Sequence, residues 1–468
     1  MSRQNKDEER ISILVEQYEK CIAGNEILPL SEDDFELLIE HFESKFEYER
    51  AILSADQAIL RYSYSSIFYV KMAQLLISVK NCSEARKYYE KALIYDPSGT
   101  EIRLLESDLL ISEGYYEQAI EVLIDLLDSI NPAEKADLHL EIADVHEQRK
   151  DSAETLRHIK QCLLHRPDHE EGLNRYWNLI ESKSQFIEAE QFLTQLIDRS
   201  PYNFLAWNFL GNVYDELARH AEAINAYDFA IAINEEYYYV YWDKALCHEK
   251  MKDWAGAREV YEEILTRFTN EAQVRIDIGR CEAKLGRYSE ARLQYFNALE
   301  SITANAMVSN AYYLIGKSFE RELNFSQAVY YYKRAVEFQR NRSRYWNALG
   351  KCQYHLQQYM ESAGSYIKSL SLNESKEKSW LMLARCYHQL EMGDMVIHVM
   401  TKAMETLPQN VDINYILSAY LIKYGRITEG LKQLDASLTM EPKGKSSIFA
   451  LFPELRKEKE VCKLLDRY

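Results

Sequence analysis

Proline and glycine are scarce in this sequence, 8 and 15 among 468 residues, and a turn-rich β fold needs more of both. The expected fold class is therefore all-α. No apolar run approaches the ~20 residues that cross a bilayer, and the start MSRQNKDEER has no hydrophobic stretch behind its charges, unlike a signal peptide. The expectation is a soluble, cytoplasmic protein without membrane insertion. The eight cysteines are dispersed and none forms a Cys-x-x-Cys pair, which fits a reducing compartment and gives no metal signature. His165 and His169 have the i, i+4 spacing of a metal pair, but Pro167 lies between them and argues against helical geometry there. Gly-x-Gly-x-x-Gly, phosphate-loop, His-Glu-x-x-His and Gly-x-Ser-x-Gly patterns are missing, so the chain is expected to be no enzyme and to hold no cofactor or metal. Positive charge is also short, 56 Lys and Arg against 74 Asp and Glu, and the net −18 opposes nucleic-acid binding by the chain as a whole.

What the sequence has in abundance is internal repetition. Trp207-Asn208-Phe209-Leu210-Gly211 is echoed by Trp346-Asn347-Ala348-Leu349-Gly350. With position 1 placed at 32, 66, 100, 136, 170, 204, 238, 272, 309, 343, 377 and 411, twelve units of 34 residues follow, interrupted only by insertions before 136 and 309. Position 8 is small in ten units, among them Ala73, Gly211, Gly279, Gly316 and Gly350; position 20 is Ala in eight; position 24 is Tyr in six, including Tyr89, Tyr227, Tyr295 and Tyr332. Position 32 takes Pro97, Pro167, Pro201, Pro408 and Pro442, each placed to stop one helix pair before the next.

This pattern resembles the tetratricopeptide repeat family over residues 32 to 444. The resemblance implies antiparallel helix pairs stacked into a right-handed superhelical solenoid, because one amphipathic pair cannot bury both its faces alone. Ile39 and Trp177 depart from the small position 8, and Thr155, Ser362, Val396 and Gly430 from Ala at position 20, weakening chiefly the unit at 136. The expected organisation is a tail and capping helix over 1–31, with Ile11 to Ile22 amphipathic. An acidic array of repeats one to six follows over 32–237, then repeats seven to twelve with a basic groove over 238–444, and a C-terminal capping helix over 445–468.

In this family positions 2, 5, 9, 12 and 13 line the concave side. Position 9 reads Glu40, Gln74, Asp108, Asp144, Asn178, Asn212, Leu246, Arg280, Lys317, Lys351, Arg385, Ala419, and position 2 turns from Asp137 and Glu171 to Arg344 and Lys378 over the same stretch. Residues 1–250 hold 25 Lys and Arg against 48 Asp and Glu, whereas residues 251–468 hold 31 against 26. The candidate peptide-binding groove comprises Arg280, Lys317, Arg344, Lys351, Lys378 and Arg385, with Arg321, His355 and His388 at its margin, suited to carboxylates or phosphates. Before it, Asn174, Asn178, Asn208 and Asn212 fill positions 5 and 9 of two successive units, where an amide offers a peptide bond both a donor and an acceptor. Tyr239 and Trp242 are the aromatics expected in the groove; most others fall at packing positions, and the four cysteines at position 10 are expected to be buried fillers. The functional expectation is a non-enzymatic scaffold or adaptor binding an acidic or phosphorylated protein segment. The alternative is a nucleic-acid-associated regulator using the basic C-terminal half.

Overall fold

The structure, a computed structural model, describes residues 3–24, 29–268, 271–441 and 446–468; Pro442 and Lys445 lie outside the described residues. The chain divides into two compact units between Glu235 and Glu236. The first holds helix Arg3–Gly24 and six helix pairs, from Glu32–Ser44 with Tyr48–Arg61 to Phe204–Glu216 with His220–Ile233. Six more pairs make the second, from Tyr238–Lys250 with Trp254–Arg267 to Val411–Lys423 with Ile427–Met440. Among the described residues there is no strand, and both units are all-α stacks of helical hairpins.

Helix ends follow the prolines. Cys82–Tyr95, Ser152–His165, Lys183–Arg199 and Gly393–Thr406 each finish two residues before Pro97, Pro167, Pro201 and Pro408, since proline lacks an N–H and pushes the preceding residue out of helical geometry. Inside each hairpin, position 24 packs on position 8. A Cβ on Gly211 would lie 2.4 Å from the Tyr227 ring, and on Gly279 2.5 Å from the Tyr295 ring. Both tyrosines are 1% exposed, so the small residue is what lets the ring lie against the first helix.

The turn between the two helices is set by backbone. Position 15 has positive φ in eleven units, but only Gly114, Gly286 and Gly425 are glycines there; Phe46, Lys80, Lys150, Ala218, Lys252, Leu323, Gln357 and Glu391 adopt the same left-handed conformation. At each, the next N–H reaches back five residues to a helix carbonyl, as in Glu47 to Phe42 and Asn81 to Leu76, both 2.8 Å. This closure satisfies an orphan carbonyl at the helix end and outweighs the ~1 kcal/mol that a left-handed side chain costs.

One unit departs, and it is the unit at 170 rather than the one at 136. There the first helix is shortened to Glu170–Leu179, Ile180 is extended, and the second helix starts on a Ser182–Gln185 capping box. Trp177 at the normally small position stacks on Phe209 at 5.7 Å, occupying space that a close hairpin requires. The unit at 136 keeps regular helices, Pro132–Gln148 and Ser152–His165, but its interior is imidazole: His139, His146 and His158 are 8%, 6% and 4% exposed. Burial pushes His139 and His158 down to about 4.

At the N-terminal side, Leu14 and Tyr18 are buried against the first pair, Tyr18 lying 5.0 Å from Phe42 with Arg50 over both rings. At the other side the structure has three short pieces in place of one helix: Ser446–Leu451, a 3-10 turn Pro453–Lys457 and Lys459–Leu465. Pro453 interrupts the run, because Phe452 before it takes φ −133° as proline demands. Ile448, Phe452, Leu455 and Val461 are nonetheless buried in one cluster with Tyr415, Leu417 and Leu438 of the last pair.

Candidate binding cleft

Three successive first helices of the second unit, Asn305–Arg321, Ser343–His355 and Glu377–Gln389, form a wall, and positions 5 and 9 of the first, 2, 5 and 9 of the second and 2 of the third open into one cleft of about 810 Å³. It is lined by Lys317, Arg321, Arg344, Lys351, Lys376 and Lys378, against the carboxylates Glu320 and Glu377. Both carboxylates are already engaged. Glu320 accepts from the Tyr332 hydroxyl at 2.6 Å and from Lys351 Nζ at 2.7 Å, while Glu377 accepts from Asn410 Nδ2 at 2.8 Å. Among the described residues Arg344 pairs with no carboxylate; its guanidinium donates to Asn310 Oδ1 at 2.9 Å and lies over the Tyr313 and Tyr345 rings at 5.1 and 5.0 Å. Desolvation holds the Lys317 ammonium below its usual pKa, with Arg321, Lys284 and Arg344 adding repulsion. A site that disfavours its own cations is one an anion relieves.

A second hollow of about 520 Å³ shares Lys317 and Arg321 with the first and is lined by Arg280, Lys284, Glu249 and Trp254. Arg280 differs from Lys317 in being neutralised: it donates to Glu249 at 2.8 Å and to Asp277 at 2.6 Å. The difference has a cause in the repeat. Position 9 reaches position 12 of the preceding first helix, which supplies Glu249 to Arg280 and Glu320 to Lys351, but Ala283 to Lys317 and Tyr354 to Arg385. Both ion pairs span 31 residues, and once the stacking is known this pairing separates free cations from occupied ones.

The other expected residues scatter. Arg385 is exposed on Glu377–Gln389 but lies outside the cleft lining, and His388 turns away to meet the Tyr424 hydroxyl at 2.7 Å and the Phe452 ring. His355, stacked on Phe325 at 4.4 Å, does line the cleft. The asparagines do not form a ladder: Asn174 and Asn178 are exposed, Asn208 is 3% exposed, and Asn212 Oδ1 accepts from the Tyr227 hydroxyl at 2.8 Å. At position 5, Asn347 donates to Ser379 Oγ of the next first helix at 2.5 Å, whereas Asn174 of the irregular unit at 170 stays exposed. Trp242 is half-buried against Tyr238 and Tyr261, whereas Tyr239 is 65% exposed. Cys247, Cys281, Cys352 and Cys386 are buried, as expected of fillers. Lys376, which the helix register omits because it precedes the helix, was signalled only by its closeness in sequence to Lys378. No helix among the described residues is long and apolar enough to cross a membrane.

No curated protein matches the chain in sequence. Among solved structures, the C-terminal part of a TPR repeat-containing protein from Cytophaga hutchinsonii is 20% identical, with 55% of this chain and 98% of that one covered at a TM-score of 0.44. A chain of the APC/C hetero-tetramer Cut9–Hcn1 is 14% identical over 100% of this chain and 96% of that one, with a TM-score of 0.34. YrrB, described as a TPR protein with an unusual peptide-binding site, is 13% identical over 40% and 95% of the two chains, with a TM-score of 0.33. The tetratricopeptide repeat family model matches residues 210–272 and 243–306, in the register whose small position 8 and Tyr at position 24 pack together in both units, so the chain carries tetratricopeptide repeats over these residues.

Proposed function

We propose that the chain is a non-catalytic interaction scaffold whose second unit receives an acidic, or phosphorylated, protein segment in the cleft between Lys317 and Lys378. The observation that carries this reading is the surplus of cations over carboxylates, with Glu320 and Glu377 both occupied and no ion pair formed by Lys317, Arg321 or Lys378 among the described residues. Repeats of a family whose arrays hold peptides on their concave side favour a scaffold. Exposed ion pairs contribute little singly, but ammonium and guanidinium groups crowded on a partly desolvated wall bind an anion more strongly than any one of them in bulk water.

The test uses the full chain and a labelled Glu-rich peptide, followed by fluorescence anisotropy at low and high salt. The triple variant Lys317→Glu, Arg321→Glu, Lys378→Glu should retain helicity and lose binding, and the wild-type affinity should fall with salt. Equal affinity in the variant overturns the assignment of the cleft. Single-stranded RNA that binds the wild type more tightly than the peptide, with the same loss in the variant, replaces the protein segment by a nucleic acid.

A further inference from the structure

Four of the eleven histidines fall within one hairpin, that of the unit at 136. His139 and His146 are seven apart on Pro132–Gln148, and His158 and His165 are seven apart on Ser152–His165. Seven residues make nearly two helical turns, so each pair lies on one stripe, and the hairpin turns the stripes toward each other. His139 Nδ1 is 3.1 Å from His158 Nδ1, the His146 and His158 rings stack at 5.5 Å, and His139 stacks on His165 at 5.5 Å. In other units the same positions, 4, 11, 23 and 30, hold packing residues such as Trp207, Phe42, Phe192 and Phe338. Imidazole costs more to bury than phenyl, and nothing in the packing of the hairpin requires four of them.

Two features point to a ligand. His146 Nδ1 is buried without a hydrogen-bond partner, its nearest carboxylate oxygen, on Asp151, being 4.0 Å away. One ligand atom each from His146, His158 and Glu154 also lie within 4.8 Å of one another. Two imidazole nitrogens and a carboxylate are a donor set for a borderline divalent transition ion, with a fourth position left for water. Zinc–nitrogen bonds of about 2.0 Å bring tetrahedral ligands to about 3.3 Å apart, so metal binding requires the three groups to draw inward from their present separation. Only Arg157 stands against it. Its guanidinium pairs with Glu154 at 2.6 Å and lies 3.1 Å from His158 Nε2, but it is 59% exposed and free to swing outward. We propose that His146, His158 and Glu154 form a binding site for a divalent transition-metal ion of the zinc class.

The proposal is tested on the chelator-treated full chain, with Zn²⁺ followed by calorimetry and Co²⁺ by its visible absorption. One equivalent of Zn²⁺ should bind and raise the melting temperature, and Co²⁺ should show the bands of a tetrahedral site. His146→Phe and His158→Phe, each residue type being native to that position in another unit, should keep the helical spectrum and abolish the equivalent. Glu154→Gln, at a partly exposed position that does not endanger folding, should bind at least about tenfold more weakly, and Arg157→Gln more tightly, whereas His165→Phe should match the wild type. Absence of a saturable equivalent, or unchanged affinity in Glu154→Gln, overturns the site, and tighter binding in Arg157→Gln distinguishes it from a purely structural histidine cluster.

Discussion

Position 9 of the first helices carries Glu40, Asp108 and Asp144 in the first unit, and Arg280, Lys317 and Lys351 in the second. Each unit contains both satisfied and unsatisfied members. In the first, Glu40 meets Lys71 at 3.0 Å and Asp144 meets Arg175 at 2.5 Å, each partner coming from position 6 of the next repeat. Asp108 meets Glu141 at that place instead. Solvent reaches both side chains, yet desolvation by the surrounding protein raises Asp108 to about 6, and desolvation together with Asp108, Asp144 and Asp137 raises Glu141 to about 7. In the second unit Lys317 is the mirror image, depressed by desolvation and neighbouring cations. The same scaffold thus presents a crowded anionic spot in one unit and a crowded cationic cleft in the other, on identical packing, so charge is the variable part of the repeat and Gly–Tyr packing the constant part.

The largest effect should come from removing the charge difference. Lys317→Glu with Arg321→Glu and Lys378→Glu is expected to weaken binding of an acidic peptide by about 100-fold, three interactions of roughly 1 kcal/mol each, with melting temperature little changed. An equal loss from Asp108→Lys with Glu141→Lys in the first unit would dissolve the contrast between the units.

Next comes the constant part. Gly211→Ala and Gly279→Ala, one in each unit, force a methyl to 2.4 and 2.5 Å from a buried tyrosine ring, and each should cost about 1–3 kcal/mol, read by urea unfolding. Similar costs would establish that both units share one packing rule; a cost in one unit alone would break it.

A smaller effect concerns the anionic spot. Glu141 has a folded pKa of about 7, above its ordinary 4.5, so the folded state holds the proton more tightly and stability is lost as pH rises through about 7. Glu141→Gln should therefore stabilise the protein at pH ~8 by about 1 kcal/mol or less, given the exposure of the side chain. Near pH ~4, below the ordinary value of 4.5 where both states are protonated, the gain should be gone. Paired melting curves of variant and wild type isolate this group from every other titration. Smallest is the turn: Lys80→Gly and Lys252→Gly, at the same left-handed position of the two units, should each stabilise by about 0.5 kcal/mol, left-handed strain relieved being partly offset by glycine's entropy in the unfolded chain.

Much of this was legible in the sequence because a repeat multiplies weak local signals. Small position 8 with Tyr at position 24, and prolines two residues beyond helix ends, are contacts within one hairpin, and the 34-residue register was enough to align them. The same register placed Lys317, Arg344, Lys351 and Lys378 on one side. It placed Asn208 there too, although that amide is buried. Trp177 was visible as a departure, but its consequence, a shortened first helix, depends on Phe209 and Phe186 packing around the ring.

What the sequence by itself determined is the hairpin: its period, its ends, its internal packing and which residue types face outward. Tertiary structure alone decided which outward charges are spent. Arg280 is neutralised and Lys317 is not because their partners come from the preceding repeat, Glu249 in one case and Ala283 in the other, and only stacking brings that layer within 3 Å. It also decided the histidine cluster, whose two stripes are ordinary helix positions until the hairpin folds them face to face. The physical reason is common to both: these interactions join groups whose proximity is created by packing, and no local propensity encodes it.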